Sequence, residues 1–227
     1  MKKVLNLLLV VAFTTSIIPI LAQNISTSSA KPEGYMNIQH NPSGERDWMG
    51  CLDCALPEGE ADLTGEDVTN GGCNSNPPVY IDINIGDVYC GRGNGYYYLD
   101  QDYRDTDWYR LVLTESKTIY WSGIANFYIQ LIIAGGECPN PSVINYALPD
   151  PGVQGTCSAT IGPGTFYVFV SPQNFGDYPG NTGDYMVYLS DAPPQDPWCA
   201  PVPLSNWALA IGIVLILAFT VIRFRKL

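Results

Sequence analysis

Short runs rich in Val, Ile, Tyr, Phe and Trp recur through the middle of the chain, separated by clusters of Gly, Pro, Asn and Asp. They predict strands over 78–84, 87–91, 95–100, 106–113, 118–124, 127–134, 142–147, 156–161, 165–171 and 183–190. Several alternate with the period of two that a pleated strand imposes. In 165–171, Phe166, Val168 and Val170 fall on one face and Tyr167 and Phe169 on the other. Apolar residues on both faces predict a central strand covered on both sides. A helical period is absent here, so residues 71–190 are predicted to be all-β, an antiparallel β-sandwich of jelly-roll type.

The flanks have other patterns. Residues 23–70 hold few β-branched runs and many Gly, Pro, Ser, Asn and acidic positions, which predicts a loosely structured acidic arm. From 191 to 203 five of thirteen residues are Pro, which predicts a stiff, extended stalk. At the start, Lys2 and Lys3 precede an apolar run from Val4 to Phe13 and a small residue, Ala22. That order predicts a secretory signal peptide over 1–22, with Gln23 as the mature N-terminus. At the other end, Trp207 to Ile222 carries no charge and is followed by Arg223, Phe224, Arg225 and Lys226. One C-terminal transmembrane helix is predicted over 204–222, with a cytoplasmic basic tail, 223–227, and the N-terminus outside.

The segment Pro203, Leu204, Ser205, Asn206 and Trp207, joined to that helix and to Arg223, Arg225 and Lys226, resembles bacterial C-terminal sorting signals of the PEP-CTERM and IPTL-CTERM kind. Such signals are handled by a membrane-embedded sortase-like protease, which the resemblance makes an expected partner. The segment lacks the Thr of the IPTL pattern, and Asn206 stands where an acid is common; a plain membrane anchor is the alternative.

Composition narrows the function classes. The chain is 46% hydrophobic and 15% charged, and between residues 23 and 202 six basic residues face twenty-two acidic ones. So acidic a surface repels phosphate backbones, which excludes nucleic acid as a partner. There is no G-x-S-x-G, no H-E-x-x-H and no phosphate-cradling glycine loop, and His40 is the sole His, so no enzyme is expected.

RDTDWYRLVL at 104–113, the FYIQL run and GTFYVFVSP together resemble the bacterial pre-peptidase C-terminal domain. PEGEADLTGEDVTNGGCNS looks like the lead-in to a domain of this type, so that the resemblance extends over about 57–190. It implies a β-sandwich attached to an exported protein, in which the D-x-D-W-Y core builds the fold and is not catalytic.

Export makes disulfides possible, and seven Cys leave one over. Loop closure favours Cys73 with Cys90 and Cys138 with Cys157, each worth ~3 kcal/mol in the chain-entropy model. Cys51 and Cys54 form a C-x-x-C read as a local structural disulfide, leaving Cys199 as the odd one. Asp100, Asp102, Asp105 and Asp107 lie within eight residues and are candidate calcium ligands, with calcium the one candidate cofactor. A solvated acidic turn organised by Asp107 is the plainer alternative. Tyr96, Tyr97, Tyr98, Tyr103, Tyr109, Tyr120 and Trp121 offer a stacking face for a glycan or a protein ligand, or else serve core and edge packing. The expected function is adhesion or ligand binding by an exported cell-envelope protein held at the membrane, with a structural or accessory module as the alternative.

Overall fold

The computed structural model describes residues 25–39 and 50–194. The expected signal peptide, transmembrane helix, sorting motif, basic tail, Cys199 and most of the stalk lie outside these residues. Among the described residues no helix is long and apolar enough to cross a membrane.

Twelve strands form in chain order: β1 (Leu56–Pro57), β2 (Ile81–Asp82), β3 (Val88–Gly93), β4 (Gly95–Tyr98), β5 (Gln101–Arg104), β6 (Asp107–Leu113), β7 (Lys117–Ala125), β8 (Ile129–Gly135), β9 (Ser142–Ala147), β10 (Gly155–Ile161), β11 (Gly164–Pro172) and β12 (Gly183–Ser190). One sheet runs β1-β3-β12-β7-β10 and the other β2-β6-β11-β8-β9, while β4 and β5 form a separate hairpin. The antiparallel pairs are nested: β8 with β9, β7 with β10, β6 with β11, β3 with β12. That is one long ribbon closed at the β8–β9 turn and rolled up so that successive pairs alternate between sheets, the winding of a jelly roll. The arrangement is mixed and not purely antiparallel, because β1 and β2 add to the edges in parallel with β3 and β6.

Alternation explains the core. Tyr109, Leu111, Leu131, Val168 and Val170 from one sheet meet Ile119, Trp121, Tyr185, Val187 and Leu189 from the other, all nearly or fully buried. The opposite face of the second sheet holds Trp108, Ile132, Tyr167 and Phe169, with Ile25, Cys73 and Tyr80 laid over them. β11 is therefore central and apolar on both faces for the reason its sequence pattern implies. The predicted strand over 95–100 is instead part of a hairpin, because Leu99 (φ 47°) and Asp100 (φ 60°) turn the chain in the left-handed region. Neither is the Gly or Asn that usually marks such a turn, so sequence carried no signal for it.

The described parts of 23–70 are not a loose arm. Ala30 bridges to Tyr103, Tyr35 Oη donates to the Gln173 carbonyl (2.8 Å), and Asn37 exchanges hydrogen bonds with Phe175. These attachments run through side chains and carbonyls, which leave no strand period to read. Arg104 is their anchor: wholly buried, it donates to the carbonyls of Ser26, Ser28, Pro172 and Gln173 and lies 4.1 Å over the Phe175 ring. Burial lowers its pKa to about 10, so it stays charged at neutral pH.

The disulfides also differ from expectation. Cys51 is bonded to Cys90 and Cys73 to Cys138, with Cα separations of 5.9 and 5.1 Å. Cys54 is disulfide-bonded too, and not to Cys51. Cys73 cannot reach Cys90, because Cys90 packs with Val88 and Met186 outside the first sheet and Cys73 covers the outside of the second. Cys157 points between the sheets and is a free, buried thiol, its pKa pushed up to about 12 by desolvation.

Two outcomes follow from this packing. Arg104→Ala strands several buried carbonyls and is expected to cost more than about 3 kcal/mol, read as a lowered urea midpoint. Iodoacetamide is expected to leave Cys157 unmodified in the native chain and to alkylate it once the chain is unfolded, as read by peptide mass.

Candidate metal centre

Two stretches of chain converge where the ribbon passes from β3 to β6. After β1, Glu58 lies beside β3, its N–H donating to the Cys90 carbonyl (2.8 Å). Its Oε2 accepts from the Arg92 N–H (3.1 Å) and the Tyr185 hydroxyl (2.9 Å), and its Oε1 from Asn70 Nδ2 (3.2 Å). Leu63 is pinned by a reciprocal pair with the Asn94 side chain, 2.8 Å each way. Asp67 Oδ1 accepts from the N–H groups of Thr69 and Asn70, closing an Asx turn. Asn70 then takes the Trp108 N–H on its carbonyl (2.9 Å) and donates Nδ2 to Asp107 Oδ1 (2.9 Å).

The second stretch enters β6. Asp105 and Asp107 are two apart, which places both on one side of an extended chain, and both are 0% exposed. Carboxylate oxygens of Glu58, Glu60 and Asp107 lie within 4.8 Å of one another, as do those of Glu60, Asp67 and Asp105. The two triads share Glu60. Glu60 Oε2, Asp67 Oδ2, Asn70 Oδ1, both Asp105 oxygens and Asp107 Oδ2 are buried with no hydrogen-bond partner. Among the described residues, no Lys or Arg forms an ion pair with any of the five carboxylates.

Desolvation is the main reason these acids resist ionising. It lifts Asp105 and Asp107 well above the usual carboxylate range, with neighbouring carboxylates pushing the same way. Glu60 is raised to about 8, by burial first and by Asp67 next, and Asp67 is raised by burial. The donor set is oxygen only, with acceptor atoms left over. That suits a hard cation and not zinc, and calcium's six to eight oxygens in flexible geometry match crowded carboxylates better than magnesium's strict hydrated octahedron.

Of the four acids expected to act together, Asp105 and Asp107 belong to the cluster. Asp100 is exposed at the β4–β5 turn, and Asp102 pairs with Lys31 (3.2 Å). The hairpin separates them: the first two ride on its tip and returning strand, the last two follow it inward. Glu58, Glu60 and Asp67 were missed because they sit in the stretch read as an arm. The E-x-E spacing at 58 and 60, repeating the D-x-D at 105 and 107, was the available signal.

The aromatics divide as well. Tyr109 and Trp121 are core and Tyr96 is buried, whereas Tyr97 is exposed. Tyr96, Tyr98 and Tyr103 pack on one another and line a cleft of about 490 Å³ together with Val68, Leu99 and Asp67.

No family model matches the chain, and no curated protein matches it. Among solved structures it is similar to the pre-peptidase C-terminal domain of a collagenase from Bacillus anthracis, at 15% identity over 49% of this chain and 94% of that one, with a TM-score of 0.34. It is also similar to a mitogen from Yersinia pseudotuberculosis, at 12% identity over 48% of this chain and 88% of that one, TM-score 0.30. Both are likenesses of fold alone.

The cluster sets a pH dependence whose sign is fixed. A carboxyl whose folded pKa is raised binds more protons folded than unfolded, so stability falls as pH rises from its unfolded value towards its folded one. For Glu60 that window runs from about 4.5 to about 8. In chelator the melting temperature is expected to drop between pH 5 and pH 8; with calcium present it is expected to hold or rise.

Proposed function

We propose that this chain is an exported cell-envelope protein whose sandwich is a non-catalytic binding domain, holding calcium at the carboxylate cluster and a neutral glycan in the adjoining cleft. Asp67 carries the reading, because it both lines the cleft and belongs to one of the carboxylate triads. A cation drawing Asp67 towards Glu60 and Asp105 fixes one wall of the cleft. The Tyr98 and Tyr103 rings offer faces on which a sugar ring stacks, and Glu66 at the same cleft disfavours anionic sugars. Display at the envelope, through the C-terminal segment and a sortase-like protease, rests on the sequence patterns at the two ends.

Calcium one hundredfold above its Kd adds about 2.7 kcal/mol to a domain that binds it only when folded. The melting temperature is therefore expected to rise by several degrees in calcium and much less in magnesium. Asp105→Asn separates the terms: replacing a buried acid that the fold holds from ionising with a neutral amide is expected to raise the melting temperature in chelator and to diminish the calcium response. On a glycan array, saturable binding that chelator abolishes supports the reading, and no binding at micromolar protein leaves a structural or accessory module instead.

A further inference from the structure

Val68, 76% exposed, and Leu99, 73% exposed, are among the most exposed large apolar side chains of the described residues, and both line the cleft of about 490 Å³. They reach it from separate stretches of chain. Val68 follows Asp67 on the acid-bearing stretch, and Leu99 stands at the apex of the β4–β5 hairpin. The two stretches meet beside the cleft, because a side chain begun at Gly65 would lie 3.7 Å from the Tyr98 ring.

Leu99 keeps that place against its own conformational preference. With Leu99 (φ 47°) and Asp100 (φ 60°) at its centre, the turn asks two successive residues to be left-handed, and Asn-Gly is the pair that suits it. A Cβ crowds the following carbonyl oxygen in this region, and Leu has no polar group with which to compensate locally. The strands cannot slip to relieve it. Gly176 and Lys31 donate their N–H groups to the Tyr103 and Asp102 carbonyls (2.7 and 2.9 Å), and the Tyr103 ring packs on both Tyr96 and Tyr98. An apolar side chain that is exposed, conformationally disfavoured and set on the rim of a cleft adds nothing to stability that would explain it, which points to a role in binding.

The interior of the cleft has the opposite polarity. Thr106 and Arg104 are buried there and Ser29 is half-buried. Arg104 is the one basic residue among the described residues lining the cleft, and its guanidinium is engaged by the carbonyls of Ser26, Ser28, Pro172 and Gln173. Glu66 and Asp67 lie at the same cleft. A carboxylate or phosphate head finds repulsion there, whereas an uncharged, hydroxyl-bearing head does not.

We propose that the cleft takes an amphipathic neutral glycoside, with its sugar ring on the Tyr98 and Tyr103 faces and its apolar aglycone against Leu99 and Val68 at the mouth. Leu99 is the residue that selects for the apolar group. The proposal rests on the cleft being a glycan site and adds the chemistry of the substituent. Each methylene taken out of water is worth a factor of about four in affinity, so burying two of them gives more than about tenfold.

The test uses the full chain in calcium and paired methyl and octyl β-glycosides of glucose, galactose and N-acetylglucosamine, each below its micelle concentration, with binding read by calorimetry. Leu99→Asn supplies a polar residue that tolerates the left-handed turn. Asp100→Gly relieves the neighbouring position and leaves the Leu99 side chain in place. Both variants are also melted without ligand. The expected result is that an octyl glycoside binds the native chain at least about tenfold more tightly than its methyl partner. Leu99→Asn is expected to melt about 2 °C higher than the native chain and yet to bind the two partners alike. Asp100→Gly is expected to melt higher too, but to keep the octyl preference. A stability gain that costs selectivity at one turn position and not at the next is something a merely structural Leu99 does not produce. Methyl and octyl partners bound alike by the native chain overturn the inference and leave the cleft reading standing. No binding to these glycosides or on the glycan array overturns both. An octyl preference that survives in Leu99→Asn overturns the inference, because the chain then sits elsewhere. Octyl sulfate bound as tightly as the octyl glycosides also overturns it, because the head group would then not be read.

Discussion

Five carboxylates gathered in one place, Glu58, Asp105 and Asp107 buried and Glu60 and Asp67 half-buried, with no basic side chain among the described residues paired to them, are the constraint to which the rest of this structure answers. Two like charges 4 Å apart repel by about 4 kcal/mol at an effective dielectric near 20, and a domain has only about 5–15 kcal/mol of stability in all. The cluster cannot be fully ionised and uncompensated. Protons, a bound cation and covalent ties are the three means of compensation, and the chain supplies the third itself at both ends of the ligand-bearing segment.

Arg104 shows how the same fold treats a buried charge it can satisfy. Its guanidinium is as deeply buried as Asp105, yet its donors meet four backbone carbonyls and its plane covers Phe175. Carbonyl dipoles and an aromatic face compensate a cation. Asp105 and Asp107, two residues apart, carry four carboxylate oxygens between them; Asp107 Oδ1 accepts from Asn70 Nδ2, and the other three are left without a donor. A site that leaves several acceptors bare beside a fully provided arginine is short of a particular partner, and positive charge is what it lacks.

Much of the sandwich was legible because its signal is local. Alternation in 165–171 placed β11 at a sheet centre, and the runs at 106–113, 118–124 and 183–190 fall on β6, β7 and β12 within a few residues. What sequence could not give was long-range. The Cys90 and Cys73 side chains emerge on opposite outer faces, a fact that depends on strand parity in two sheets and not on their separation along the chain. Two of the five cluster carboxylates, Asp105 and Asp107, were readable for the same reason that β6 was. The other three lie on a segment of turns and two-residue bridges, where neither period two nor period 3.6 exists to be seen.

The place of the cluster in the topology explains why such a segment is kept. A jelly roll leaves β3 and β6 as the edges on one side, each with a row of unpaired N–H and C=O groups, and β1 and β2 add to those edges. The chain from Glu58 to Tyr80 runs from one added strand to the other, across the open side of the sandwich. An exposed edge pairs readily with other chains, so covering it has value apart from any ligand. With only two residues each, β1 and β2 have little hold of their own; the carboxylates between them, once compensated, and the flanking disulfides supply it. Edge protection and charge compensation thus become one equilibrium: whatever discharges the cluster also closes the edge, and whatever releases the segment exposes repelling carboxylates to water and strand edges to neighbours together.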